Sequence, residues 1–206
     1  VTAWDVLAAM ADAAQPDYSG SCMIALYPPP GVAEKLAIPG GLDPDDIHLT
    51  VAYTGDCADV DQFVLVAAAS ALAARPPVAA TVSGHARFTG GGEGDVIVAL
   101  VDSPALDVLR QDALLALAVR GIALPSEHGF TAHMTLSYLA PGDPDPVGRL
   151  EPLPVTFAAV SAEYGTQRYA FPFSAGDGDA PARDSWTSLQ QAATDRAGER
   201  WAACTR

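Results

Sequence analysis

Apolar positions along the chain switch between a spacing of two and a spacing of three to four, and the switches mark the elements. Residues 2–14 carry Trp4, Leu7, Met10 and Ala14 at helical spacing behind Thr2 as N-cap, and Gln15-Pro16-Asp17 ends the helix. A strand is expected from Cys22 to Tyr27, stopped by Pro28-Pro29-Pro30; a short helix from Val32 to Ala37 leads to the turn Pro39-Gly40-Gly41. The text IHLTVAY, Ile47 to Tyr53, predicts a second strand. Asp59 to Ala74 predicts a helix, with Asp59 and Gln62 at capping-box spacing and Arg75-Pro76-Pro77 as its stop. Two strands at 78–88 and 95–101 flank a glycine-rich turn at 90–94. Ser103-Pro104 opens a helix with Leu106, Leu109, Ala113 and Leu117 on one face, ending at Gly121. After a loop from Leu124 to Thr131 come the strand AHMTLSYL, Ala132 to Leu139, and two more strands at 153–162 and 167–173.

The order strand, helix, strand with histidine, helix, strand recurs loosely on each side of residue 90, and IHLTVAY and AHMTLSYL share text. That similarity suggests a half-length duplication. Three segments follow: a helical extension at 1–19, a core at 20–173, and a linker with an amphipathic helix at 174–206. The tail opens with Gly176, Asp177, Gly178, Asp179 and Pro181, then sets Trp186, Leu189, Ala193, Ala197 and Trp201 in a helical stripe behind Ser185. Packing on the core is the simplest reading of that stripe; a stub of a further module or a partner-docking helix is the alternative.

The two strands with shared text carry His48-Leu49-Thr50-Val51 and His133-Met134-Thr135-Leu136. Side chains at i and i+2 of a strand share one face. Each strand therefore offers a His and a Thr on one face and hydrocarbon on the other, the pattern of a polar cleft over an apolar layer. A pseudo-twofold arrangement would bring both pairs into one groove. Two imidazoles suit phosphodiester chemistry, because one can start neutral as base and the other protonated as acid near neutral pH. Thr hydroxyls can donate to the non-bridging oxygens, where charge sits in the transition state. A zinc site fits less well, since two histidines without a Cys or acid at ligand spacing leave the metal under-coordinated. One His-x-Thr is common by chance; two, in matching strands of an apparent repeat, are much rarer.

These motifs resemble those of the two-histidine (2H) phosphoesterase superfamily, which includes the 2'-5' RNA ligase and cyclic phosphodiesterase proteins. Asp45-Asp46-Ile47-His48-Leu49-Thr50 is similar to the first H-x-[ST]-x copy, and Phe130-Thr131-Ala132-His133-Met134-Thr135-Leu136 to the second, with Ala132 where proline is common. The strand Met23 to Pro30 also resembles the family's start, and the likeness spans about residues 20–173. It implies an α+β, bilobal, pseudo-twofold fold with antiparallel sheets lining a central groove and helices outside. It further implies acid/base roles for His48 and His133 and phosphate-binding roles for Thr50 and Thr135, while the two-imidazole scheme itself calls for no cofactor or metal. The expected activity is metal-independent cleavage of a small cyclic or 2'-5'-linked nucleotide phosphodiester. The alternatives are an RNA end-processing or 2'-5' RNA ligase-like enzyme and a non-catalytic nucleotide-binding module.

Composition narrows the partners. The 206 residues are 50% hydrophobic and 17% charged, a globular balance, with 18 Gly and 17 Pro favouring many turns. The net charge of −14 argues against broad binding to long duplex nucleic acid, whose affinity comes mostly from phosphate neutralisation, and leaves a small nucleotide or RNA end as the expected substrate. The longest apolar run, Phe63 to Ala74, is too short to span a bilayer, and the first residues lack the basic start of a signal peptide. Three sparse cysteines, Cys22, Cys57 and Cys204, argue against a disulfide framework; a cytoplasmic monomer is the default expectation. Around the motifs, His128, Tyr164, Phe88 and Arg168 are candidate substrate contacts, with Arg87 and Arg149 as further phosphate candidates. His85 reads as a surface or sheet-edge histidine, and strand parity makes Tyr53 and Tyr138 packing residues.

Overall fold

A computed structural model describes residues 20–91, 94–122, 124 and 129–174. The helical extension, the amphipathic tail and His128 lie outside the described residues. Among the described residues eight strands follow in chain order: β1 (Ser21–Leu26), β2 (Leu49–Asp56), β3 (Val78–Gly91), β4 (Gly94–Asp102), β5 (His133–Leu139), β6 (Leu153–Phe157), β7 (Ala159–Tyr164) and β8 (Gln167–Pro172). Three α-helices punctuate them: α1 (Pro30–Leu36), α2 (Gln62–Leu72) and α3 (Pro104–Ala118). A single turn of 3-10 helix, Pro44–Asp46, precedes β2.

All eight strands form one antiparallel sheet in the order β6-β3-β4-β5-β2-β1-β7-β8. The expected pseudo-twofold lies in that order. Four strands on each side flank the central β5–β2 contact, which pairs at one position, Leu49 opposite Met134. The halves of the sheet do not coincide with the halves of the sequence. β3, from the first half, pairs with β4 of the second, while β7 returns to pair with β1. The half β6-β3-β4-β5 is one continuous stretch of sequence, from Val78 to Phe157, and the other half is built from both ends of the core, β1 and β2 with β7 and β8. The strand expected over 153–162 is accordingly two: β6 ends on β3 at Phe157, and β7 starts beside β8 at Ala159. No glycine or proline marks this crossing, so the local text reads as one strand.

The core forms where α2 and α3 cover the sheet. Leu65, Ala68, Ala69 and Leu72 of α2 and Leu106, Leu109, Ala113 and Leu117 of α3 are buried, the last four being the stripe read from the sequence. They join Leu49, Val51, Met134 and Leu136 in one apolar cluster. Ser103 caps α3 as expected, accepting from the Ala105 N–H at 3.3 Å. At α2 the cap is Asp61, whose carboxylate accepts from the N–H groups of Phe63 and Val64 at 2.8 and 3.3 Å. The expected cap, Asp59, sits in the preceding turn, its own N–H donating to the Asp56 carbonyl. Asp61 wins because only it stands directly before the first helical residue.

Two further expectations are corrected. Cys22 and Cys57 form a disulfide with their Cα atoms 5.4 Å apart, tying β1 to the turn before α2. Sparse cysteines gave no hint of it, because β1 and the turn meet only once β1 pairs with β2. The disulfide removes the premise on which sparse cysteines pointed to a reducing compartment. No helix among the described residues is long and apolar enough to cross a membrane. Tyr53 is not a packing residue: it is 50% exposed, its hydroxyl 3.2 Å from the Ser21 hydroxyl. Irregular register between β1 and β2 breaks the alternation that parity assumed, and Val51 and Ala52 are both buried.

Replacing Asp61 with Ala should lower unfolding stability by about 1 kcal/mol through loss of the cap, whereas Asp59→Ala should change it by less than about half that. Urea denaturation of the two variants checks the assignment, and equal effects would refute it.

Candidate active site

The one paired position between the sheet halves decides where the motifs point. Leu49 and Met134 are both fully buried on the helix side. Their neighbours His48, Thr50, His133 and Thr135 are half-buried and stand on the other face. Continued antiparallel, the same register sets His48 across from Thr135 and Thr50 across from His133. The strands diverge on either side of the junction. On one side the Leu136 carbonyl accepts from Leu42 N–H at 2.8 Å, and on the other the Val51 carbonyl accepts from the Arg110 guanidinium. Gly41 makes the first approach possible, since a Cβ there would collide with the Leu136 oxygen.

A matched irregularity frames both motifs. β1 shifts register between Ile24 and Ala25, and Ala25 pairs with Thr50. β4 shifts between Ile97 and Val98, and Val98 pairs with Thr135. Bulges re-aim side chains, and here the extra residue lies on the motif strand itself, Val51 beside Thr50 and Leu136 beside Thr135. Thr50 Oγ1 contacts the Met23 sulfur at 3.6 Å.

Both imidazoles are held the same way. His48 Nδ1 lies 2.7 Å from the Asp46 carbonyl, at the end of the 3-10 turn, and His133 Nδ1 lies 2.7 Å from the Thr131 carbonyl. A carbonyl only accepts, so each Nδ1 carries the hydrogen, and Nε2 is left to exchange a proton with whatever enters the groove. Each ring also leans on an aromatic: Tyr27 against His48 with centroids 5.5 Å apart, and Phe88 edge-on to His133 at 5.1 Å.

The two sides differ in charge. The Arg168 guanidinium lies 3.6 Å above the Tyr27 ring, and its Nε is 3.2 Å from Oε1 of the buried Glu163. Burial first, then the neighbouring Glu163 charge, drive the Tyr27 hydroxyl well above its ordinary range. Burial likewise raises Glu163, against the opposing pull of Arg168. His48 is lowered, chiefly by burial, with the cation of Arg168 and the charge of His133 adding to the effect.

Of the residues singled out from sequence, the structure brings together His48, Thr50, His133, Thr135, Phe88 and Arg168. Tyr164 lies elsewhere: it pairs with buried Cys22, packs against the core and donates its hydroxyl to the Cys57 carbonyl at 2.9 Å. Arg87 is bound by Asp95 at 2.6 Å and by the Asp143 carbonyl, so it anchors a loop. Arg149 pairs with Glu151 on the open surface. His85 lies on β3 beyond the stretch Val78–Val82 that pairs with β6, so it has β4 on one side only, as expected of a sheet-edge residue, and its ring is 3.2 Å from Asp145. Tyr138 is half-buried. Among the described residues no three His, Cys, Asp or Glu side chains converge to hold a metal ion. Sequence reasoning missed Tyr27 and Glu163. Tyr27 shares the parity of Met23 and Ala25 on β1, the one signal that could have found it; Glu163 is an isolated acid in an otherwise uncharged strand.

Comparison with solved structures gives the same architecture. TT0787 of Thermus thermophilus aligns with a TM-score of 0.55 at 17% identity, covering 75% of this chain and 99% of its own. E. coli LigT complexed with 3'-AMP aligns at 0.53 and 18% identity, covering 75% of this chain and 95% of its own. A protein described as a phosphoesterase aligns at 0.53 and 17% identity over the same shares. No protein-family model matches the chain, and no curated protein matches its sequence. The likeness is one of three-dimensional arrangement: the antiparallel α+β sheet, joined at the two His-x-Thr strands, has the fold of E. coli LigT and TT0787.

Proposed function

We propose that this chain is a metal-independent phosphodiesterase that cleaves a small cyclic or 2'-5'-linked nucleotide. The observation carrying this reading is the pair of imidazoles, each pinned through Nδ1 to a carbonyl two residues back and each accompanied by a threonine on the same sheet face. His48 is the base. Its burial and the facing Arg168 cation favour the neutral ring, so Nε2 has a lone pair for the proton of the attacking oxygen. His133 is the acid, and its Nε2 proton goes to the oxygen that leaves phosphorus as the P–O bond breaks. Thr50 and Thr135 donate to the non-bridging oxygens and stabilise the charge that builds there. Phe88 offers a ring to a nucleobase, and Arg168, stacked on Tyr27, supplies positive charge beside His48 in an otherwise acidic chain. A nucleotide substrate is also in keeping with the 3'-AMP bound by E. coli LigT.

His48→Ala and His133→Ala should each abolish turnover of 2',3'-cyclic mononucleotides or 2'-5' dinucleotides with the far-UV circular dichroism unchanged. Thr50→Ala and Thr135→Ala should cost about 10–10³-fold, each removing one hydrogen bond to a charged phosphate. Near-wild-type activity in either histidine variant would defeat the assignment.

The dependence of kcat/KM on pH should be a bell, unchanged by EDTA. Activity lost on chelation and restored by zinc or manganese would overturn the metal-independent mechanism. The acid limb follows His48: a base must be deprotonated to work, so a lowered pKa keeps the enzyme active further into acid than an ordinary imidazole would. Replacing Arg168 with Met removes one cause of that lowering, and the acid limb should move to higher pH. A pH–rate series on the variant decides it, and an unmoved limb would exclude electrostatic coupling of Arg168 to the base.

A further inference from the structure

On the helix side, away from the His-x-Thr face, an apolar groove of about 460 Å³ runs between the end of α2 and the second half of α3. Ala71, Leu72 and Ala74 line one wall and Leu115, Ala116 and Val119 the other. Leu115 and Val119 are 62% and 70% exposed, unusual for large apolar residues side by side on a helix. Small alanine side chains on both walls leave room for a bulky ring. Arg75 and Asp112 pair across the groove, presenting a guanidinium on which an indole could stack.

The chain itself leads into this groove. Ser174, the last described residue, is fastened to the Ala73 carbonyl twice, by its N–H at 2.9 Å and its hydroxyl at 3.2 Å. Ala73 lies between the lining residues Leu72 and Ala74. The described chain therefore ends at the rim of the groove, with 32 residues still to follow. Among them Trp186, Leu189, Ala193, Ala197 and Trp201 form the apolar stripe of the expected helix. Between Ser174 and Ser185 the linker can reach at most about 35 Å, ample for a groove that starts at its anchor. The first 19 residues enter elsewhere: the Gly20 carbonyl accepts from Cys57 N–H at 2.7 Å, before the start of α2. That end of α2 is about 16 Å from its other end.

We propose that the groove between α2 and α3 is the docking site of the apolar stripe of residues 185–201 of the same chain, with Trp186, the tryptophan nearer the Ser174 anchor, seated in it. The proposal does not depend on the catalytic reading. The sequence has three tryptophans, Trp4, Trp186 and Trp201, so Trp4→Phe in the full-length chain leaves only the two in the tail. In that background the tryptophan emission should be blue-shifted and shielded from acrylamide relative to the urea-unfolded chain, independently of protein concentration. Leu115→Glu and Val119→Asp, made singly at exposed positions, should shift the emission to the red and increase quenching, with circular dichroism and turnover retained. Emission like that of the unfolded chain, or emission indifferent to both groove substitutions, would overturn the proposal. Shielding that appears only as concentration rises would assign the groove to a second copy and overturn it equally. The control is Trp186→Phe with Trp201→Phe, retaining Trp4: a groove-dependent signal that survives there belongs to the first 19 residues and also refutes tail docking.

Discussion

A single strand pairing, Leu49 against Met134, holds the candidate site together. It joins two four-stranded halves, and because both residues are buried it sends the His and Thr on either side of each to the opposite face. A slip of one residue would turn both motifs into the apolar layer and leave imidazoles under α3 without partners. The register is guarded on both sides. Leu42 and Arg110 take up carbonyls where β2 and β5 diverge, and Leu49, Val51, Met134 and Leu136 gain their burial only in this alignment.

From this symmetric frame the side chains build an asymmetric site. Each histidine has the same backbone tether and an aromatic neighbour, and the Arg168 guanidinium acts on His48. Arg168 is held there by Tyr27 below it and Glu163 beside it, so its position is fixed before any ligand arrives. The proposed acid/base chemistry needs its two imidazoles in opposite protonation states, and identical surroundings could not distinguish them. The difference comes from β8, an edge strand of one half of the sheet.

The chain itself ties the halves together. It passes from β2 to β3 into one half and from β6 to β7 back into the other, while β2–β5 is the strand pairing between them. The Cys22–Cys57 disulfide adds a covalent tie between β1 and the start of α2, closing a 35-residue separation. In the chain-entropy account such a loop is worth about 3–4 kcal/mol.

The sequence by itself determined whatever is periodic or adjacent. The two His-x-Thr faces, the buried stripe Leu106, Leu109, Ala113 and Leu117, and the Ser103 cap follow from spacing within a few residues, and the structure agrees on each. At this range even the error was small: Asp61, two residues past the expected Asp59, caps α2. Only the tertiary structure decided what depends on partners far apart in the chain. Residues 49 and 134 choose each other across 85 positions, the bulges beside Thr50 and Thr135 appear only once neighbouring strands pair, and Cys22 meets Cys57 through β1 on β2. Tyr164 and Arg168 show the limit. Both are aromatic or cationic residues near a strand end, but pairing with Cys22 turns Tyr164 to the core, while pairing with Glu163 turns Arg168 to the groove. A strand's own sequence sets which residues share a face; its neighbours in the sheet decide which face meets the substrate.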